Sequence, residues 1–91
     1  MPKILIIANP VSGRGRGARV AEKTGNRLRE WGDSVETLFT SKRGDAKDFA
    51  GRAADYDRIV AIGGDGTVNE ILNGLPEKSP PLGQIPVGTA N

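Results

Sequence analysis

The sequence predicts an α/β fold, a three-layer, open and mainly parallel sheet with helices on both faces. Three observations lead there. Ile4-Leu5-Ile6-Ile7-Ala8 is an unbroken apolar run closed by Asn9-Pro10, the pattern of a strand covered on both sides. Strand-like and helix-like periods then alternate along the chain, as parallel sheets with crossover helices require. The 13 glycines among 91 residues are about twice the usual roughly 7%, and they gather mostly where a strand hands over to a helix.

The first strand is Ile4 to Ala8. From Ala18 to Trp31 the apolar positions Val20, Ala21, Thr24, Leu28 and Trp31 fall on one helical face, and Gly32 supplies the stop. Val35 to Phe39 is the second strand. Asp45 is expected to cap a helix carrying Ala46, Phe49, Ala50 and Ala53. Ile59 to Ile62 is a third strand. Val68, Ile71, Leu72 and Leu75 mark a short third helix, Pro76, Pro80 and Pro81 a loop, and Leu82 to Ile85 a fourth strand.

Composition narrows the chemistry. Without cysteine or histidine, the chain offers no disulfide, no thiolate or imidazole zinc site, no cysteine nucleophile and no Ser-His-Asp triad. The net charge of +2 is unevenly laid out. Residues 1–29 carry seven basic side chains against Glu22, whereas residues 30–91 carry six basic and ten acidic ones. The amino-terminal third is therefore the anion-seeking part, although a basic helix face is also simply a solvated one. Trp31, Phe39, Phe49 and Tyr56 are scattered rather than grouped as a base-stacking platform, which speaks against nucleic acid as a partner. The longest apolar run is far short of the roughly 20 residues of a membrane span, so a cytoplasmic chain is expected.

Three corners lie at the carboxyl ends of the expected strands, where open α/β sheets collect ligands. They are Asn9 to Gly17, Gly63 to Thr67, and Pro86 to Asn91, and from one sheet edge they can converge on a single polyanion. Gly63-Gly64-Asp65-Gly66-Thr67 lets the backbone turn tightly with its N–H groups facing phosphate oxygens. A carboxylate in such a loop repels phosphate unless a cation intervenes or it accepts a proton from an attacking hydroxyl. Asp65 is thus either a Mg²⁺ or general-base group, or an ordinary cap of a helix beginning near Val68. Gly13, Gly15 and Ala18, with Glu36 further on, formally match a dinucleotide fingerprint. Asn9 to Ser12 intervene where the first glycine should meet the strand. No Walker-type G-x-x-x-x-G-K-[ST] string occurs.

Asn9-Pro10-Val11-Ser12-Gly13, then Gly63 to Leu75 reading GGDGTVNEILNGL, then Ile85-Pro86-Val87-Gly88-Thr89-Ala90-Asn91 together resemble the three signature strings of the diacylglycerol kinase catalytic domain family. Thr40 to Ala46 resembles the matching corner of bacterial members. The resemblance implies an ATP-dependent lipid kinase whose amino-terminal domain, similar to those of NAD kinases and 6-phosphofructokinases, holds the nucleotide. It implies that Asn9, Pro10, Ser12, Gly13, Thr40, Gly63, Gly64, Asp65, Gly66, Thr67, Asn69, Glu70, Gly88 and Thr89 line the ATP site. By the same carry-over Asp65 lies in a carboxylate, water and Mg²⁺ network, bound to the metal through water, and in some relatives the matching acid is proposed as base for the lipid hydroxyl.

Family members continue past the last string into a β-sandwich domain with the lipid pocket. Residues 1–91 are accordingly expected to be the partial nucleotide-binding domain, inactive toward lipid by themselves, with peripheral membrane contact or self-association open. The alternatives are an NAD-kinase-like or 6-phosphofructokinase-like enzyme, which shares the Gly-Gly-Asp-Gly turn, and a non-catalytic nucleotide-binding or oligomerisation module.

Overall fold

A computed structural model describes residues 2–87. The chain runs β1 (Lys3–Ala8), α1 (Ser12–Glu30), β2 (Ser34–Phe39), α2 (Asp45–Ala50), a single 3₁₀ turn (Ala53–Asp55), β3 (Arg58–Gly63), α3 (Asp65–Gly74) and β4 (Leu82–Pro86). The strands form one sheet in the order β2-β1-β3-β4, and every neighbouring pair is parallel. The α/β architecture is as the alternating periods predict.

β1 explains the layering. Its residues Ile4 to Ala8 are all buried, and successive side chains go to opposite faces. Leu5 and Ile7 join Ala46, Ala50, Ile59, Ala61 and Ile71 in a core beneath α2 and α3. Ile4, Ile6 and Ala8 join Ala21, Ile62 and Val87 in a second core beneath α1. Truncating a fully buried residue such as Ile6 to alanine costs about 2–5 kcal/mol, a large share of the stability of so small a domain.

Five expectations need correction. The helical stripe does not reach Trp31: α1 ends at Glu30, and Trp31 at its C-cap is 70% exposed because the helix has run out before the next turn could bury it. Gly32, at φ 98°, does provide the stop. Asp45 is the first residue of α2 rather than its cap. Gly44 holds the cap position in a left-handed conformation, and α2 ends at Ala50, so Ala53 is buried from the 3₁₀ turn instead. Helix α3 begins at Asp65, not near Val68. Leu72, counted among its apolar positions, is 56% exposed.

The start of α1 is irregular. Gly13, Arg14 and Gly15 all have positive φ, so regular helix begins only beyond them, close to the expected Ala18. Holding the non-glycine Arg14 there costs about 1–2 kcal/mol. Gly17 then packs so closely on the first corner that a Cβ would lie 2.0 Å from the Asn9 carbonyl oxygen. That contact, with the Ala18 N–H donating to Pro10 O at 3.2 Å, ties the helix to the β1 corner. No described helix is long and apolar enough to cross a membrane.

Candidate functional site

The corners meet because their strands are neighbours. The Asn9 N–H donates to Ile62 O at 2.9 Å, the Thr40 N–H to Ala8 O at 2.9 Å, and the Val87 N–H to Gly63 O at 3.2 Å. Each bond extends a strand pairing by a residue into its loop. Gly13 sits against Val87, where a Cβ would come within 2.6 Å of the valine side chain. The first and third corners are thereby packed together, and the second touches the first at Gly63 and Asn9.

Between the first corner, the second corner and the loop after β2 opens a cavity of about 510 Å³. Asn9, Pro10 and Val11 line it from the β1 corner, and Thr40, Ser41, Lys42 and Arg43 from the loop after β2. Gly66, Thr67 and Glu70 line it from α3, with Ala46 behind them. The Asn9 side-chain oxygen accepts from the Val11 N–H at 3.1 Å, which fixes the turn after β1. Arg43 makes no ion pair among the described residues; the one on α1, Arg27 to Glu30, is on a different element. The wall after β2 therefore offers the cavity positive charge.

Two carboxylates hold that wall. Asp45 Oδ2 accepts from the Ser41 N–H at 2.8 Å, the Ser41 hydroxyl at 2.9 Å and the Lys42 N–H at 3.0 Å. The Ser41 N–H bond, then the Ser41 hydroxyl, keep the Asp45 carboxyl below the ordinary carboxylate range. From the other side, Glu70 Oε1 accepts from the Gly44 N–H at 3.1 Å.

The turn between β3 and α3 behaves differently. Gly64 is the N-cap, with φ −93° and ψ −168°, an extended conformation open to any residue, and no side chain caps the helix. A Cβ at Gly64 or Gly66 would meet nothing within 4 Å. Neither backbone conformation nor packing requires glycine at Gly64, and leaving both positions bare opens space above the first N–H groups of α3. Asp65 is exposed and makes no hydrogen bond or ion pair among the described residues. The helix-cap reading of Asp65 therefore finds no bond to support it.

Of the expected site residues, Asn9, Pro10, Thr40, Gly66, Thr67 and Glu70 share the cavity. Asp65 and Asn69 do not. They lie on the neighbouring face of α3 with Val68 and Leu72, beside a shallow groove of about 430 Å³ that adjoins the cavity at Gly66. Ser12, Gly13, Gly63 and Gly64 are outside the cavity lining, Gly13 and Gly63 being buried. Gly88 and Thr89 lie outside the described residues. Sequence reasoning missed Ser41, Lys42 and Arg43 as lining residues. They stand in the string Thr40 to Ala46, and their signal was position in the loop leaving the strand beside β1. Glu36, the ribose ligand a dinucleotide fingerprint needs, instead accepts a hydrogen bond from the Tyr56 hydroxyl.

The family model described as the diacylglycerol kinase catalytic domain matches residues 3–91. A diacylglycerol kinase of Bacillus subtilis is 41% identical over 95 aligned residues, covering 100% of this chain and 31% of that protein. One from Staphylococcus epidermidis is 43% identical over 90, covering 94% of this chain and 28% of that protein. A crystal structure of a diacylglycerol kinase from Bacillus anthracis superposes with a TM-score of 0.80 at 35% identity, covering 99% of this chain and 34% of that one. The chain thus spans about a third of the length of the relatives it matches.

Proposed function

Because the chain belongs to the diacylglycerol kinase catalytic domain family, we propose that it is the ATP-binding part of a lipid kinase that passes the γ-phosphate of ATP to a lipid hydroxyl. The observation that carries this reading is the bare N-terminus of α3, where Gly64 and Gly66 have open space above them beside a cavity with Lys42 and Arg43 on its wall. Phosphoryl transfer asks a protein chiefly for positioning and charge neutralisation, and both are available from these groups. The Gly64 to Gly66 N–H groups face the phosphates, Asn9 and Thr40 border the nucleotide, and Lys42 and Arg43 offset its charge.

The donor set suits a cation only in a particular way. Among the described residues no three acidic side chains gather into a metal cage, so Mg²⁺ fits as an ion carried largely by phosphates and water with one nearby carboxylate. When bound, it would neutralise charge developing on the transferred phosphoryl group. Asp65, which has no hydrogen bond or ion pair among the described residues, is the carboxylate in this reading: it orients water around the cation or accepts the proton of the lipid hydroxyl. Lipid recognition is assigned to the remaining length of such kinases, so the 91-residue chain alone is expected to phosphorylate no lipid.

The test is calorimetric titration of the chain with ATP, with and without Mg²⁺, and with NAD as competitor. Saturable, Mg²⁺-sensitive binding that NAD does not displace is the expected result. No ATP binding to a chain that melts cooperatively would overturn the reading.

A further inference from the structure

Glu70 faces the cavity, yet its hydrogen bond is to protein: Oε1 accepts from the Gly44 N–H at 3.1 Å, joining α3 to the cap of α2 across 26 positions of sequence. Gly44 is the hinge of the cavity wall. It is left-handed at φ 96°, and with Asp45 on its other side it sets the path of Ser41 to Arg43. Among the described residues the wall is held by the Thr40 N–H on Ala8 O and the Asp45 N–H on Lys42 O, by the Asp45 carboxylate, and by Glu70. The last is the anchor that comes from the helix bearing the glycine turn, and Gly66 and Glu70, four residues apart, stand on one helical face toward the cavity.

We infer that Glu70 is a positioning residue, which sets the wall carrying Lys42 and Arg43 against the Gly64 to Gly66 turn through the Gly44 N–H, rather than a ligand of nucleotide or cation. The inference rests on the proposed ATP site and deepens it. A hydrogen bond from backbone N–H to a carboxylate oxygen is short-ranged and directional, so it fixes distance between the two sides of a cavity. A half-buried carboxylate beside bound triphosphate would otherwise oppose the anion. Engaging it with a backbone donor leaves the wall's cationic side chains to face the ligand.

The experiment compares Glu70→Gln with Glu70→Ala in two readouts, exchange of the Gly44 amide proton by NMR and affinity for ATP by calorimetry. Glutamine keeps an oxygen acceptor at the same reach and loses the charge; alanine loses both. Positioning requires that Glu70→Ala speed Gly44 exchange by about fivefold or more and weaken ATP by about fivefold or more. Glu70→Gln should stay within about twofold of the parent in both readouts. Unchanged Gly44 exchange in Glu70→Ala overturns the inference, as does a Glu70→Gln chain that keeps Gly44 protected but loses ATP, since that marks a directly ligating charge. If the parent binds no ATP, the proposed function fails while the Gly44 amide still decides the positioning role.

Discussion

Replacing Gly64 by aspartate should move the fold and the function in opposite directions. The backbone at this position is extended and no atom lies within 4 Å of where a Cβ would stand, so the side chain enters without strain. α3 has no side-chain cap. Aspartate at an N-cap is better than glycine by a few tenths of a kcal/mol, and a carboxylate at a helix N-terminus adds about 0.3–1 kcal/mol at low salt. A gain of about 0.5–1 kcal/mol in a domain of this size raises Tm by roughly 2–8 °C. For the ligand the same carboxylate is a like charge. At 4 Å from a phosphate oxygen in an effective dielectric of about 20 the repulsion is about 4 kcal/mol, and even a third of that is about tenfold in affinity. Thermal melting by circular dichroism and calorimetric titration with ATP read the two effects. Gly64→Asp should melt no lower than the parent and bind ATP at least about tenfold more weakly. Gly64→Asn, which caps without charge, should lose less. Affinity within about twofold of the parent would refute the phosphate role of the turn, and a lower Tm would refute the claim that the fold leaves Gly64 free.

Four further outcomes follow from local geometry. Gly17→Ala, whose Cβ would collide with the Asn9 carbonyl at 2.0 Å, should destabilise the chain by about 1–3 kcal/mol or more. Gly25→Ala, whose Cβ meets the flexible Arg29 tip at 3.3 Å and stands in ordinary contact with Ile6 and Val35 at 3.8 Å, should stabilise it by about 0.5–1 kcal/mol, both read from urea midpoints. Tyr56 is the sole tyrosine, so alkaline absorbance titration reports it alone. Its hydrogen bond to Glu36, aided by burial, pushes the hydroxyl up to about 12, against about 10 in the unfolded chain. The stabilisation is therefore complete below pH ~10 and lost as pH climbs through ~12, and Tyr56→Phe should flatten stability across that window. Asp65→Asn keeps shape and removes charge; the Mg²⁺ dependence of ATP binding should shrink, and an unchanged Mg²⁺ titration would remove Asp65 from the metal's surroundings.

What was legible in the sequence divides by the range of the interaction. β1 could be read because an apolar run from Ile4 to Ala8 needs no information beyond itself, and the four strands and main helix followed from local period. Spacing alone continues the apolar stripe to Trp31, past the end of the helix, and only the terminus at Glu30 shows that there is no further turn. The type of Asp45 and its place before an apolar stretch fit a cap, but its carboxylate turns back to Ser41 and Lys42 instead. The Gly64 to Thr67 turn stood out as a motif, but Lys42 and Arg43 did not. Their place on the cavity depends on β2 lying beside β1, which a period of two along one strand does not specify.

The same limit bears on the three carboxylates around the site, which composition alone treats alike. Asp45 and Glu70 are each engaged by backbone N–H groups of the loop after β2. Their charge goes into shaping the wall and is compensated there. Asp65 has no such partner among the described residues, and it stands at the head of α3, where the helix end favours a negative charge without binding it. An acid left exposed and unbonded beside a turn that packing leaves bare is free to respond to whatever enters. If the site takes ATP with Mg²⁺, Asp65→Asn should alter the metal response while leaving the wall intact. Glu70→Ala should loosen the wall while leaving the metal response of any residual binding unchanged. Opposite signatures from two acids on one helix five residues apart would separate chemistry from scaffold at this edge, and identical signatures would collapse the distinction.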